Sequence, residues 1–198
     1  MLAKPTDKLI NKYIQEFEND ERYYKADKAI IRLFESFPEN KNIEDILLKI
    51  SVINDLYSTK IYGTWRMAKH IQNLNIDDSL NAGDPDLVNK IAIGHGIISK
   101  RFNKEINFYS FATKYCNWHN QNDYCIYDTF VDRLLVAYNR QDKFSDFNRV
   151  HLKTFSRFKS ILSDFINFYN LKEHNYKEID KFLWIYGKKL FSNYNTIE

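Results

Sequence analysis

Asn107 to Arg133 reads NFYSFATKYCNWHNQNDYCIYDTFVDR. Phe108, Phe111, Ala112, Tyr115, Cys116 and His119 recur at the i, i+3, i+4, i+7 spacing of a helix with one apolar face. Asn120-Gln121-Asn122-Asp123 breaks that pattern with side chains that bond their own backbone and favour a turn. The short apolar run Tyr124-Cys125-Ile126-Tyr127 then brings Asp128 to the start of a second helix, whose stripe is Val131, Leu134, Leu135 and Tyr138. The turn and the apolar run are where a cleft is expected, with Asp128 at its edge.

Working outward, the same helical period recurs on both sides. Residues 6–37 read as one or two helices broken near Asn19-Asp20 and stopped by Pro38. A helix follows with Ile43, Ile46, Leu47, Ile50, Asn54 and Tyr57 on one face. The next is expected to be capped by Ser58 or Thr59 and to turn Ile61, Trp65, Ala68 and Ile71 inward. Asn75 to Gly83 reads as a connection, and Asp84-Pro85 as a helix start. That helix carries Leu87, Val88, Ile91 and His95, with Gly94 and Gly96 weakening its end. A polar segment, Asn139 to Asn148, leads to a long helix from Leu152 to Tyr169, and a last helix follows Asn175. No run alternates with period two, and no internal repeat is visible. The expectation is an all-α chain, residues 1–198 as one domain, with 1–83 plus the C-terminal helices and 84–145 as two helical lobes flanking a cleft.

Bulk properties narrow the class. With 198 residues, 5 Gly and 3 Pro, the chain suits compact helical connections. A net charge of +3 does not by itself indicate nucleic acid. Charge is uneven, however: Arg140, Lys143, Arg149, Lys153, Arg157 and Lys159 stand against Asp142 and Asp146 alone. A solvated helix face accounts for that segment taken by itself. Cys116 and Cys125 form no CxxC and no zinc spacing, so both read as buried thiols of a reducing compartment, with no metal and no cofactor. The N-terminal residues are too polar for a signal peptide, and no apolar run reaches membrane-spanning length. A cytoplasmic, monomeric protein without membrane contact is expected.

Asp128 admits two roles. Asp is among the best N-caps, because its oxygen accepts an unpaired first-turn N–H. The run Ala112-Thr113-Lys114-Tyr115, the polar break, and Tyr124-Cys125-Ile126-Tyr127-Asp128 also resemble the core of the helix-hairpin-helix DNA glycosylase superfamily, most of all its archaeal oxoguanine branch. The resemblance implies a helix-hairpin-helix glycosylase-like fold with Asp128 as the catalytic carboxylate. It places Ser110 where bifunctional members carry a Schiff-base lysine, which implies a monofunctional enzyme using water. Lys114, one turn further on, is the alternative amine. The segment Phe102 to Asn107 lacks the glycines of the family hairpin, so phosphate is expected at the helix start near Phe108, assisted by Lys100, Arg101 and Lys104.

The chemistry suits a lone carboxylate. Breaking an N-glycosidic bond builds positive charge on the sugar, which a nearby carboxylate stabilises while orienting water. A base must first leave the stack and be received by aromatic or amide side chains. Trp118, His119 and Tyr127 border Asp128 in sequence, and Asn54, Tyr57 and Trp65 are candidates for a facing wall, though each taken singly fits ordinary core packing. The expected substrate is a damaged base, or a hypermodified phage base such as glucosylated hydroxymethylcytosine. The alternative is a non-catalytic helical module that binds nucleic acid or an acidic partner through Arg140 to Lys159.

Overall fold

A computed structural model describes residues 1–192. Among them ten α-helices are joined by short links and one two-stranded sheet, so the all-α class holds. The order is α1 (Asp7–Asn19), α2 (Glu21–Ser36), α3 (Ile43–Leu56), α4 (Thr64–Leu74), α5 (Asp77–Asn81), α6 (Asp86–Ala92), β1 (Ile98–Ser99), β2 (Lys104–Glu105), α7 (Tyr109–His119), α8 (Thr129–Asp142), α9 (Phe155–Phe168) and α10 (Tyr176–Phe191). A 3-10 helix, Arg149–Lys153, precedes α9. No helix among the described residues is long and apolar enough to cross a membrane.

The chain divides into two compact units. Among the described residues the first joins 1–24 to 127–192, and the second is the continuous segment 25–126. In the first unit α10 packs on α1 and α8, and α9 on the 3-10 helix. Tyr13, Phe182 and Tyr186 form one aromatic group, and Tyr138, Phe165 and Tyr169 another. Gly187 lets α10 approach α8: a Cβ there would stand 3.1 Å from the Phe130 carbonyl oxygen. In the second unit α3 packs on α4 and α7, and α6 on α7. Helix α7 is its centre, with every residue from Phe111 to Trp118 buried.

Several local expectations are corrected. Neither Ser58 nor Thr59 caps α4, which begins at Thr64 with Gly63 before it. Ser58 and Lys60 have positive φ, so the chain turns there instead of entering a helix. The connection at 75–83 contains the short α5. Helix α6 ends at Ala92, short of His95, because Gly94 and Gly96 take positive φ. A strand pair is present where none was expected: Ile98 pairs with Glu105 and Ser99 with Lys104, antiparallel.

His95 fixes that hairpin. Its Nδ1 accepts from the Ile97 amide at 3.0 Å, and its Nε2 donates to the Ile106 carbonyl at 2.9 Å. The Glu105 carboxylate accepts from the Gly94 and Gly96 amides, and these bonds, Gly96 first, hold its carboxyl below the usual range. The flanking glycines therefore allow a backbone loop to close on one carboxylate.

Candidate functional site

Asp128 lies in the first unit as the N-cap of α8. Its Oδ1 accepts from the Phe130 amide at 2.8 Å and the Val131 amide at 2.9 Å. Among the described residues no hydrogen bond reaches Oδ2, and the side chain is half-buried. One oxygen is thus fixed by the helix end and the other is available to solvent or ligand.

Next to it stands a buried acid that the sequence reading missed. Asp132 has only 1% of its side chain exposed. Its Oδ2 accepts from the Tyr127 hydroxyl at 2.6 Å, and its Oδ1 from Arg149 Nε at 2.5 Å. Lys153 donates to the same Tyr127 hydroxyl and sits over the Tyr127 ring. Burial, then the bond to Asp132, pushes the Tyr127 phenol up. Tyr127 therefore links Asp132 to Lys153, with its hydroxyl already engaged, while Arg149 pairs with Asp132 directly. Its period could have revealed Asp132, since 128, 131, 132 and 135 share one helical face.

The second unit holds the other candidates. Trp118 and His119 line a cavity of about 680 Å³ together with Phe34, Glu39, Asp77 and Asp78. Beside it is a buried polar group. Lys49 Nζ donates to the carbonyls of Phe37 and Glu39 and to Asn40 Oδ1, at 2.9 to 3.0 Å. Tyr115 donates to Asn40 Oδ1, and Asn40 Nδ2 to Asp77. Three acceptors match the three protons of an ammonium, although burial lowers the Lys49 pKa to about 8. His119 Nε2 is 3.4 Å from Lys49 Nζ. Burial, then that lysine, lowers the His119 pKa to about 3, so His119 is neutral at the bottom of this cavity at pH 7. Lys49 lies on the 46, 49, 50, 53 face of α3, a signal the sequence reading passed over.

The remaining expected residues have other surroundings. Asn54 Oδ1 accepts from the Ile61 amide at 2.7 Å and the Thr59 hydroxyl at 2.9 Å, so its amide ties down the loop after α3. Trp65 is exposed, with Lys69 over its ring. Tyr57 carries Lys114 Nζ at 5.4 Å from its ring centre. Lys114 donates to Ser110 Oγ at 2.8 Å. It is 4% exposed, so its expected place on a DNA surface is corrected to the interior of the second unit. Lys100, Arg101 and Lys104 are exposed on the β1–β2 hairpin. Cys116 and Cys125 are buried and are not joined in a disulfide, and burial pushes the Cys116 thiol up. Among the described residues no group of His, Cys, Asp and Glu is placed to hold a metal ion.

Residues 9–123 match the family model described as HI_0787_N, N-terminal domain. A protein of Haemophilus influenzae (strain ATCC 51907 / DSM 11121 / KW20 / Rd), described as an uncharacterized protein, is 42% identical over 150 residues, which is 75% of this chain and 69% of the relative. No solved structure matches. The family match takes in nearly all of the second unit and the α1–α2 segment before it. With more than half of the chain inside that match, and a relative of this identity and coverage, the chain belongs to the HI_0787_N family.

Proposed function

We propose that this protein is a monofunctional DNA glycosylase that removes a modified base, with Asp128 as its catalytic carboxylate. One observation carries the reading: Oδ1 of Asp128 accepts two amides while Oδ2 has no hydrogen bond among the described residues. A carboxylate held by one oxygen is pre-oriented, and preorganisation is what electrostatic stabilisation of a developing cation requires. In the proposed step the water oxygen bonds to C1′ of the sugar. The C1′–N bond breaks with its electron pair leaving on the base. The proton of the water passes to Asp128 Oδ2 and then to solvent, and solvent protonates the base. The Ser110 position supports the absence of a lyase step, since no lysine stands there.

The same cap favours a second reading, a non-catalytic helical module that binds nucleic acid or another partner, because two amide bonds are already a complete role for Asp. Substitution separates the two. Asn caps a helix about as well as Asp, whereas it carries no charge and takes no proton. Duplexes carrying 8-oxoguanine, glucosylated hydroxymethylcytosine or other modified bases are incubated with the protein and then treated with alkali. Under the glycosylase reading one of them breaks at the modified base, and Asp128→Asn abolishes the break without loss of thermal stability. Equal breakage by Asp128→Asn would remove the carboxylate from the reaction.

A further inference from the structure

The second unit exposes aromatic side chains amid a nearly acid-free set of cations. Tyr62 is 86% exposed, Trp65 56% and Phe102 66%, values far above those of ordinary packed aromatics. Residues 58–69 contain Lys60, Arg66 and Lys69 and no acid, and residues 96–106 contain Lys100, Arg101 and Lys104 with one acid, Glu105. Glu105 is already taken by the Gly94 and Gly96 amides.

Two contacts join these segments. Arg66 NH1 donates to the Gly96 carbonyl at 2.9 Å, and Gly63 lies so close to Ile97 that a Cβ would stand 2.9 Å from its side chain. The start of α4 and the base of the hairpin are therefore one surface. The hairpin tip carries Arg101 and Phe102, with the guanidinium 5.1 Å from the ring centre. Asn103 turns the chain there at φ +48°, its amide bonding to the Ser99 carbonyl. From Ile97 to Phe102 the extended chain reaches at most about 17 Å, a few nucleotide steps.

We infer that this face, formed by Tyr62, Trp65 and Phe102 with Arg66, Lys100 and Arg101, binds single-stranded nucleic acid. Aromatic faces offer stacking to any base, and interleaved cations track the phosphates. Three cations on this face, with its one acid Glu105 held by backbone amides, make it complementary in charge to a polyanion. The inference does not require Asp128 to be catalytic.

The test is fluorescence anisotropy with a labelled oligo(dT) of about 20 nucleotides, long enough for such a face. Trp65→Ala and Phe102→Ala are each expected to raise Kd by about 5- to 150-fold, the range of one lost base stack. Lys100→Ala and Arg101→Ala should each flatten the salt slope by about 0.7. Phe168→Ala, an exposed phenylalanine of the first unit, should bind like wild type. Unchanged affinity in both Trp65→Ala and Phe102→Ala would overturn the inference. So would binding to phosphatidylserine vesicles without binding to oligo(dT).

Discussion

Lys114 donates to the Ser110 hydroxyl at 2.8 Å, across one turn of α7. Under the glycosylase proposal Ser110 stands at the position of a Schiff-base lysine, and the amine one turn further on is bonded to it. With Lys114 only 4% exposed, its amine is enclosed by the fold and out of reach of a sugar carbon. Borohydride added during incubation with an excised substrate is expected to trap no protein–DNA adduct. A trapped adduct that disappears in Lys114→Ala would make the enzyme bifunctional and Lys114 its nucleophile.

His119 makes acid stability a specific expectation. Its folded pKa of about 3 lies below its ordinary 6.5, because burial disfavours the charged ring. Between these values the unfolded chain binds a proton that the folded chain refuses. Stability therefore falls as pH drops through that window, by up to about 1.4 kcal/mol per pH unit. Urea unfolding of wild type and His119→Gln from pH 7 to pH 4 should show a shallower loss in the variant. Parallel curves would mean that His119 accepts its proton without cost in the fold.

Asn54 has a structural expectation of its own. Its Oδ1 takes the Ile61 amide and the Thr59 hydroxyl, and its Nδ2 donates to the Ile61 carbonyl. Asn54→Ala leaves those groups without their partner and should cost about 1–3 kcal/mol in urea unfolding. An unchanged midpoint would show that the loop after α3 finds other partners.

The helices were legible where one face is apolar and the caps are strong. The break at Asn19-Asp20, the start of α3 after Asn42 and the start of α10 after Asn175 follow from period and capping alone. Helix α7 was legible as a helix but not in its surroundings. It is buried on all sides, so the periodic pattern cannot say which of its residues meet a cavity. The hairpin escaped notice because two-residue strands carry no period, and its stability comes from His95 and Glu105 gripping backbone groups. Lys49 and Asp132 are buried charges, which residue type places at the surface, although both positions share the spacing of their buried neighbours. The role of Asp128 as a cap was readable from residue type. Which of its oxygens stays open was not, since that depends on how the first turn of α8 folds back on it.

The glycosylase proposal turns on Asp128 Oδ2, and alkali-revealed strand breakage by wild type, Asp128→Asn and Asp128→Ala, each with its thermal midpoint, addresses it most directly. The account predicts that both variants lose base excision. It predicts further that Asp128→Asn keeps its stability while Asp128→Ala loses about 1 kcal/mol with the cap. Excision retained in Asp128→Asn, or no excision by wild type from any modified duplex, would contradict it and leave Asp128 as the end of a helix.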